Sequence, residues 1–140
     1  MRLVVDTNVF ISALVKDAMA RKLVTHLDAE LLTIGLVKEE IAAHEKELVA
    51  KTHVTSEELW RVLDCLFDRV VILNDQLVQS KMPEAKRIMD SIDRDDTPFI
   101  AAALATESAV WSDDAHFQKQ DRIKVYRTRD LAEHLARAWY

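Results

Sequence analysis

Short apolar segments alternate with helical segments along most of the chain, and this alternation restricts the possible folds more than any other feature. Residues 2–6 have the pattern of a buried strand, and residues 8–15 then place their apolar side chains on one helical face. Strands that alternate with helices are typical of a parallel sheet. The sequence therefore predicts an α/β fold with a mostly parallel central sheet of about five strands, flanked by helices on both sides in three layers.

Local signals refine the boundaries of these elements. Thr55 and Glu58 have the spacing of a capping box at the start of a helix, and Pro83 predicts a break or a new helix start near Met82. The predicted strands are residues 2–6, 30–34, 69–73, 109–112 and 123–127. The predicted helices are residues 8–15, 18–27, 36–51, 77–92, 99–106 and 128–139, with one more after Thr55.

Length and composition limit the class of protein. With 140 residues, 49% of them hydrophobic, the chain fits a single domain over residues 1–140. Cys65 is the only cysteine, which excludes an intramolecular disulfide and favours a reducing cytoplasm. No apolar stretch approaches the roughly 20 residues that span a bilayer, so we expect no membrane association. The net charge of −5 argues against a generic basic nucleic-acid binder, although not against a nuclease whose acids surround cations.

Acidic residues follow two of the predicted strands. Asp6 ends the first strand, and the pair Asp113 and Asp114 follows the strand 109–112. Ligands of open parallel sheets bind beyond the carboxyl ends of the strands, so these acids are candidates for a site. Each has a plainer interpretation: Asp6 could cap the next helix, and the pair could form a polar turn.

Further acids have weaker individual signals. Asp93 and one of Asp95 and Asp96 are expected to cap the helix that follows, which leaves the other available for a site. Glu39 and Glu40 lie on a predicted amphipathic helix, where glutamates are ordinary. Carboxylates crowded together repel one another unless a cation is bound, and hard divalent ions prefer oxygen ligands. A set of acids of this kind suits metal-dependent phosphodiester hydrolysis.

Four segments together resemble the PIN-domain family, the nuclease fold of VapC-type toxins and of several RNA-processing enzymes. They are residues 3–12, 40–41, 95–101 and 110–117, and their order and spacing extend over nearly the whole chain. The resemblance implies catalytic acids at Asp6, Glu40, Asp96 and Asp114, of which Asp6, Asp96 and Asp114 are metal ligands. It implies supporting roles for Thr7, Asn8, Asp95, Ser112 and Asp113.

The same resemblance implies a biochemical function. The expected cofactor is one or two Mg²⁺ or Mn²⁺ ions, and the expected reaction is endonucleolytic cleavage of RNA that leaves a 5′-phosphate and a 3′-hydroxyl. The resemblance also implies a homodimer and, for toxin members, an antitoxin protein as partner. The main alternative is a PIN fold that binds RNA or protein without cleaving, because a fold does not guarantee an activity.

Other interpretations fit the sequence less well. A phosphatase with an aspartate nucleophile would need an acid two residues after Asp6, where Asn8 stands, and a receiver domain would need an acidic pair before its first helix. His116 is expected to be a surface loop histidine rather than a manganese ligand. A late basic run is expected to be a solvated edge rather than a phosphate-binding surface; it consists of Lys119, Arg122, Lys124, Arg127 and Arg129.

Overall fold

A five-stranded parallel sheet forms the centre of the chain in a computed structural model that describes residues 1–15 and 18–139. The strands are β1 (Arg2–Val5), β2 (Glu30–Thr33), β3 (Val70–Ile72), β4 (Ala109–Trp111) and β5 (Val125–Tyr126). Their order is β3-β2-β1-β4-β5, and every neighbouring pair is parallel. The predicted α/β fold class is confirmed.

Helices cover both faces of this sheet. They are α1 (Thr7–Val15), α2 (Ala18–His26), α3 (Leu36–Ala43), α4 (Glu45–Thr52), α5 (Ser56–Phe67), α6 (Asp75–Gln79), α7 (Met82–Met89), α8 (Thr97–Thr106) and α9 (Thr128–Trp139). Two short 3-10 helices span Arg94–Asp96 and Ala115–Lys119. On one side α1 contacts α2 to α5, and α2 contacts α9; on the other, α6 and α7 pack against α8. Within residues 1–15 and 18–139, no helix is long and apolar enough to cross a bilayer.

The two helix starts that the capping signals predicted are confirmed, whereas one predicted long helix is wrong. Thr55 caps α5, where its hydroxyl oxygen accepts from the backbone N–H of Glu58 at 3.1 Å, and Pro83 lies in the first turn of α7. The helix predicted over residues 36–51 is instead divided at His44, whose φ of −106° and ψ of 12° depart from helical values. Its apolar spacing continues across this break, so the pattern alone indicated one helix.

The order of the strands creates a crevice beside β1. From β1 the chain adds β2 and β3 toward one edge of the sheet, and it later places β4 and β5 toward the other edge. Such a reversal separates the loops at the carboxyl ends of the two central strands and leaves a crevice between them. Val5 pairs with Trp111 at this end, and the N–H of Asp6 donates to the Trp111 carbonyl at 3.1 Å. Residues that follow β1 and β4 therefore share one crevice.

Candidate metal centre

Asp6 lies at the base of the crevice, with only 2% of its surface exposed. Its Oδ2 atom accepts a hydrogen bond from the Ser112 hydroxyl at 2.7 Å, and the Ser112 Oγ atom in turn accepts from the backbone N–H of Asp114 at 3.0 Å. The backbone N–H of Thr7 also favours the ionised form of Asp6 and lowers its pKa. Ser112 is fully buried and thereby couples the residue after β1 to the loop after β4.

Asp96 faces the same crevice from the start of α8. It is 9% exposed, and its Oδ2 atom has no hydrogen-bond partner among the residues that the structure describes. The next residue anchors this turn, because the Thr97 hydroxyl donates to the Asp90 carboxylate at 2.8 Å. Asp95, by contrast, has an exposed side chain. Of the two neighbouring acids, Asp96 is the one in the crevice.

Burial and the charges of neighbouring acids raise the pKa values of the two buried acids. Burial raises the pKa of Asp6 from 3.8 to about 6; the charges of Asp114 and Glu40 raise it further, and the Ser112 hydrogen bond lowers it. Burial likewise raises the pKa of Asp96 to about 7, with further increases from Asp6, Asp93 and Asp114. These carboxylates therefore disfavour their own ionised forms when no cation is present.

Glu40, rather than Glu39, is the glutamate of α3 that contributes to this site. Its side chain is half-buried, and its charge is near enough to raise the pKa of Asp6. Glu39 is exposed and lines a separate groove together with Asp75 and Pro98. The helix that follows β2 thus presents one glutamate to the crevice and the other to solvent.

Asp113 makes structural contacts next to the crevice. Its Oδ1 atom accepts from the backbone N–H of Thr128 at 2.8 Å, and its Oδ2 atom accepts from the Thr128 hydroxyl at 2.6 Å. The same hydroxyl oxygen accepts from the indole N–H of Trp111 at 3.1 Å. Asp113 therefore connects the end of β4 to the first turn of α9, where a carboxylate is favourable.

Replacement of Asp113 by Ala is expected to lower the free energy of unfolding by about 1–2 kcal/mol, the usual effect of losing a helix-end carboxylate with its hydrogen bonds. Urea unfolding followed by circular dichroism measures this change, with Asp121→Ala, an exposed acid, as the control. Metal affinity is expected to stay unchanged. A large loss of metal affinity with unchanged stability would instead make Asp113 a ligand.

His116 belongs to the acidic cluster, contrary to the expectation of a plain surface histidine. Its Nδ1 atom lies 2.9 Å from Asp93 Oδ2, 3.3 Å from Asp114 Oδ1 and 3.7 Å from Asp96 Oδ2. The side chain as a whole is 41% exposed, but this nitrogen atom is buried. One feature of the sequence could have indicated this position of His116, namely the apolar residue Phe117 that follows it. In the structure Phe117 is fully buried and holds the segment against the core.

Asp93 has two roles, of which the sequence indicated one. Its Oδ1 atom accepts from the backbone N–H of Asp95 at 2.9 Å, so Asp93 is a cap as predicted, but of the 3-10 helix Arg94–Asp96 and not of α8. The expected second cap is wrong, because Asp96, the N-cap residue of α8, makes no side-chain capping hydrogen bond. The Oδ2 atom of Asp93 is the closest acidic oxygen to His116. Asp93, Asp96 and His116 can each offer one ligand atom, and these three atoms lie within 4.8 Å of one another.

The remaining candidates differ in their position. Thr7 is buried, and its hydroxyl oxygen has no hydrogen-bond partner within the described part of the chain, while Asn8 is exposed. In the late basic run, Arg122 pairs with Glu84 at 2.9 Å, and Lys124 lies over the ring of Tyr126. Two of these basic side chains thus have local partners, as expected for a solvated edge.

The donor set of the crevice fits a hard divalent cation. Carboxylates from four different segments surround it, and a buried carboxylate oxygen of Asp96 has no hydrogen-bond partner in residues 1–15 and 18–139. Mg²⁺ binds through a few carboxylates and keeps several waters, which suits a crevice open on one side. The residues that would hold such an ion are Asp6, Asp96 and Asp114.

Comparison with known proteins identifies the family. The sequence profile of the PIN domain matches residues 4–136. The chain belongs to the PIN domain family. One solved structure with the same PIN fold is VapBC2 from Rickettsia felis, bound to a DNA fragment from its own promoter. A chain of that structure aligns with a TM-score of 0.70 and 14% identity, over 91% of this chain and 98% of that chain. No curated protein matches the chain significantly.

Proposed function

We propose that this PIN domain is a metal-dependent endoribonuclease. One observation carries the proposal: acids from four separate segments meet in the crevice at the ends of β1 and β4, where burial first, and then the charges of the other acids, raise the pKa values of Asp6 and Asp96. A fold gains nothing from buried carboxylates that repel one another, unless a cation compensates their charges. Glu40 and Asp114 complete the set that we assign to catalysis.

The residues of the crevice have distinct parts in the proposed reaction. When bound, Mg²⁺ or Mn²⁺ would supply an activated water and neutralise the charge of the phosphate. Asp6, Asp96 and Asp114 would hold the ion, and Ser112 fixes the orientation of the Asp6 carboxylate through its hydrogen bond. Glu40 is more exposed than Asp6, so its carboxylate is available to orient the attacking water.

The substrate and the partners are part of the same proposal. RNA is the proposed substrate because the chain belongs to the PIN domain family and its sequence resembles the nucleases of that family, which implies a 5′-phosphate and a 3′-hydroxyl as product ends. The likeness to VapBC2 supports an antitoxin protein as partner of this chain, which would make it the toxin of a pair. A homodimer and a cytoplasmic location stay predictions.

Cleavage of labelled single-stranded RNA and single-stranded DNA tests the function. Each substrate is incubated with the full chain in Mg²⁺, in Mn²⁺ and in a chelator, and product ends are mapped by ligation. We expect cleavage of RNA with either ion and none with chelator. RNA that is bound but left intact under every condition would favour the non-catalytic binding module, and cleavage in chelator would refute a metal-dependent reaction.

A further inference from the structure

The more exposed half of the crevice contains a group of ligand atoms that includes a nitrogen. The group consists of Asp93 Oδ2 and Asp96 Oδ2, from the start and the end of the segment that forms the 3-10 helix before α8, and of His116 Nδ1, from the 3-10 helix after β4. Two of these side chains are partly exposed, with 41% for His116 and 26% for Asp93. The group shares Asp96 with the deeper acids, so it extends the same centre toward solvent.

Two buried atoms of this group lack hydrogen bonds. Asp96 Oδ2 and His116 Nδ1 make no hydrogen bond of acceptable geometry in the described part of the chain, although the nitrogen is in ion-pair range of both carboxylates of this group, 2.9 Å from Asp93 Oδ2 and 3.7 Å from Asp96 Oδ2. Asp96 is nine-tenths buried, and polar atoms buried to this degree are normally paired. A cation between the three side chains would satisfy the carboxylate oxygens and the nitrogen lone pair at once.

The position of the His116 ring is fixed by contacts outside the group. The next residue, Phe117, is fully buried and packs edge-to-face on Phe99 of α8 with ring centroids 6.4 Å apart. The backbone N–H of His116 donates to Asp114 Oδ1 at 2.9 Å. Asp93 is held as well, because its Oδ1 atom accepts from the N–H of Asp95, which leaves Oδ2 for the group. The arrangement is preorganised, as metal sites require.

The chemistry of the ligands then selects the kind of cation. Mg²⁺ prefers an all-oxygen shell and is reluctant to lose its waters, whereas imidazole suits divalent transition ions, and nitrogen affinity increases along the series that begins with Mn²⁺. We propose that Asp93, Asp96 and His116 form a cation position in which His116 is a ligand through Nδ1, so that the centre binds divalent transition ions in preference to Mg²⁺. This inference rests on the proposed function, because it assumes that the deeper acids hold a divalent ion.

Electron paramagnetic resonance of the full chain loaded with Mn²⁺ tests the ligand directly. We expect hyperfine coupling from an imidazole nitrogen in the wild type, and its loss in His116→Gln. We also expect His116→Gln and Asp93→Asn to weaken Mn²⁺ binding about tenfold or more, with a much smaller effect on Mg²⁺. His26→Gln is the matched control, because His26 ends α2 shortly before the amino end of β2, whereas the crevice lies at the carboxyl ends of the parallel strands.

The outcomes separate this inference from the proposed function. Mn²⁺ that binds with no nitrogen coupling in the wild type would overturn the inference and leave the carboxylate centre intact, with His116 then serving as an ion-pair partner of the acids. The same conclusion would follow from an unchanged preference for Mn²⁺ over Mg²⁺ in both variants. Absence of any bound ion in the wild type would overturn the proposed function itself.

Discussion

Asp96→Asn is expected to reduce metal-dependent RNA cleavage by about a hundredfold or more, whereas Asp95→Asn is expected to leave it within about twofold of the wild type. The two acids are neighbours in sequence, but Asp96 is buried in the crevice and Asp95 is exposed. An asparagine keeps the size of the side chain and removes the negative charge that a divalent ion needs. A difference in activity between the two variants therefore shows which of the two negative charges the reaction requires.

The measurement is kcat/KM on a labelled single-stranded RNA with saturating Mg²⁺. Circular dichroism and thermal unfolding of both variants show whether each retains its fold. Because the Asp93 cap on the N–H of Asp95 involves the backbone, neither substitution removes it. Equal activities of the two variants would contradict the assignment of Asp96, and a loss confined to Asp95→Asn would exchange the roles of the two acids.

The metal-free protein is expected to lose stability as the pH rises from about 4 to about 7. The folded-state pKa values of Asp6 and Asp96 are about 6 and about 7, above the ordinary value of 3.8, and burial is the main cause of both shifts. Each carboxyl group therefore contributes stability below its unfolded pKa, and this stability is lost as the pH rises through the folded pKa. For Asp6 the change corresponds to about 3 kcal/mol, since one pKa unit equals about 1.4 kcal/mol.

Urea unfolding of the wild type and of Asp6→Asn, in chelator at about pH 4.5 and about pH 7.5, measures this contribution. At the higher pH, metal-free Asp6→Asn is expected to be more stable than the wild type, because the amide carries no buried charge. At the lower pH the difference is expected to shrink. Addition of Mg²⁺ or Mn²⁺ at the higher pH is expected to stabilise the wild type selectively.

Asp95→Asn is the matched control for this experiment, because the same Asp-to-Asn change there removes an exposed negative charge instead of a buried one. It is expected to leave both the pH dependence and the effect of metal unchanged. The difference in unfolding free energy between the wild type and Asp6→Asn could instead stay constant over this pH range. That result would show that the Asp6 carboxyl group has the same pKa in the folded and in the unfolded protein. The pKa of Asp6 would then not be raised.

Much of the fold and part of the site were predictable because they depend on local pattern. Parallel β1 and β4 are short apolar runs, and Asp6 and Asp114 follow their ends within three residues, so a shared crevice was expected once the sheet was predicted. The choice of Glu40 over Glu39, and of Asp96 over Asp95, came from the family resemblance. The burial of these side chains agrees with both choices, although the assignment of roles stays a prediction.

The features that the sequence did not reveal depend on tertiary contacts. The break at His44 lies within a continuous apolar pattern, and periodicity cannot locate such a break. In the sequence, helix capping was a sufficient explanation for Asp93, and His116 was interpreted as a surface loop histidine. Their approach to 2.9 Å results from the packing of Phe117 on Phe99, a contact between segments that are distant in sequence.

Calorimetric titration of the metal-free full chain with Mg²⁺ and with Mn²⁺, for the wild type and for Asp6→Asn, tests most directly whether the crevice is a metal centre. Saturable binding to the wild type is expected, with a loss of affinity of about tenfold or more in Asp6→Asn. Binding that is equal in the two proteins, or absent from a folded wild type, would contradict the assignment of the metal centre to these carboxylates.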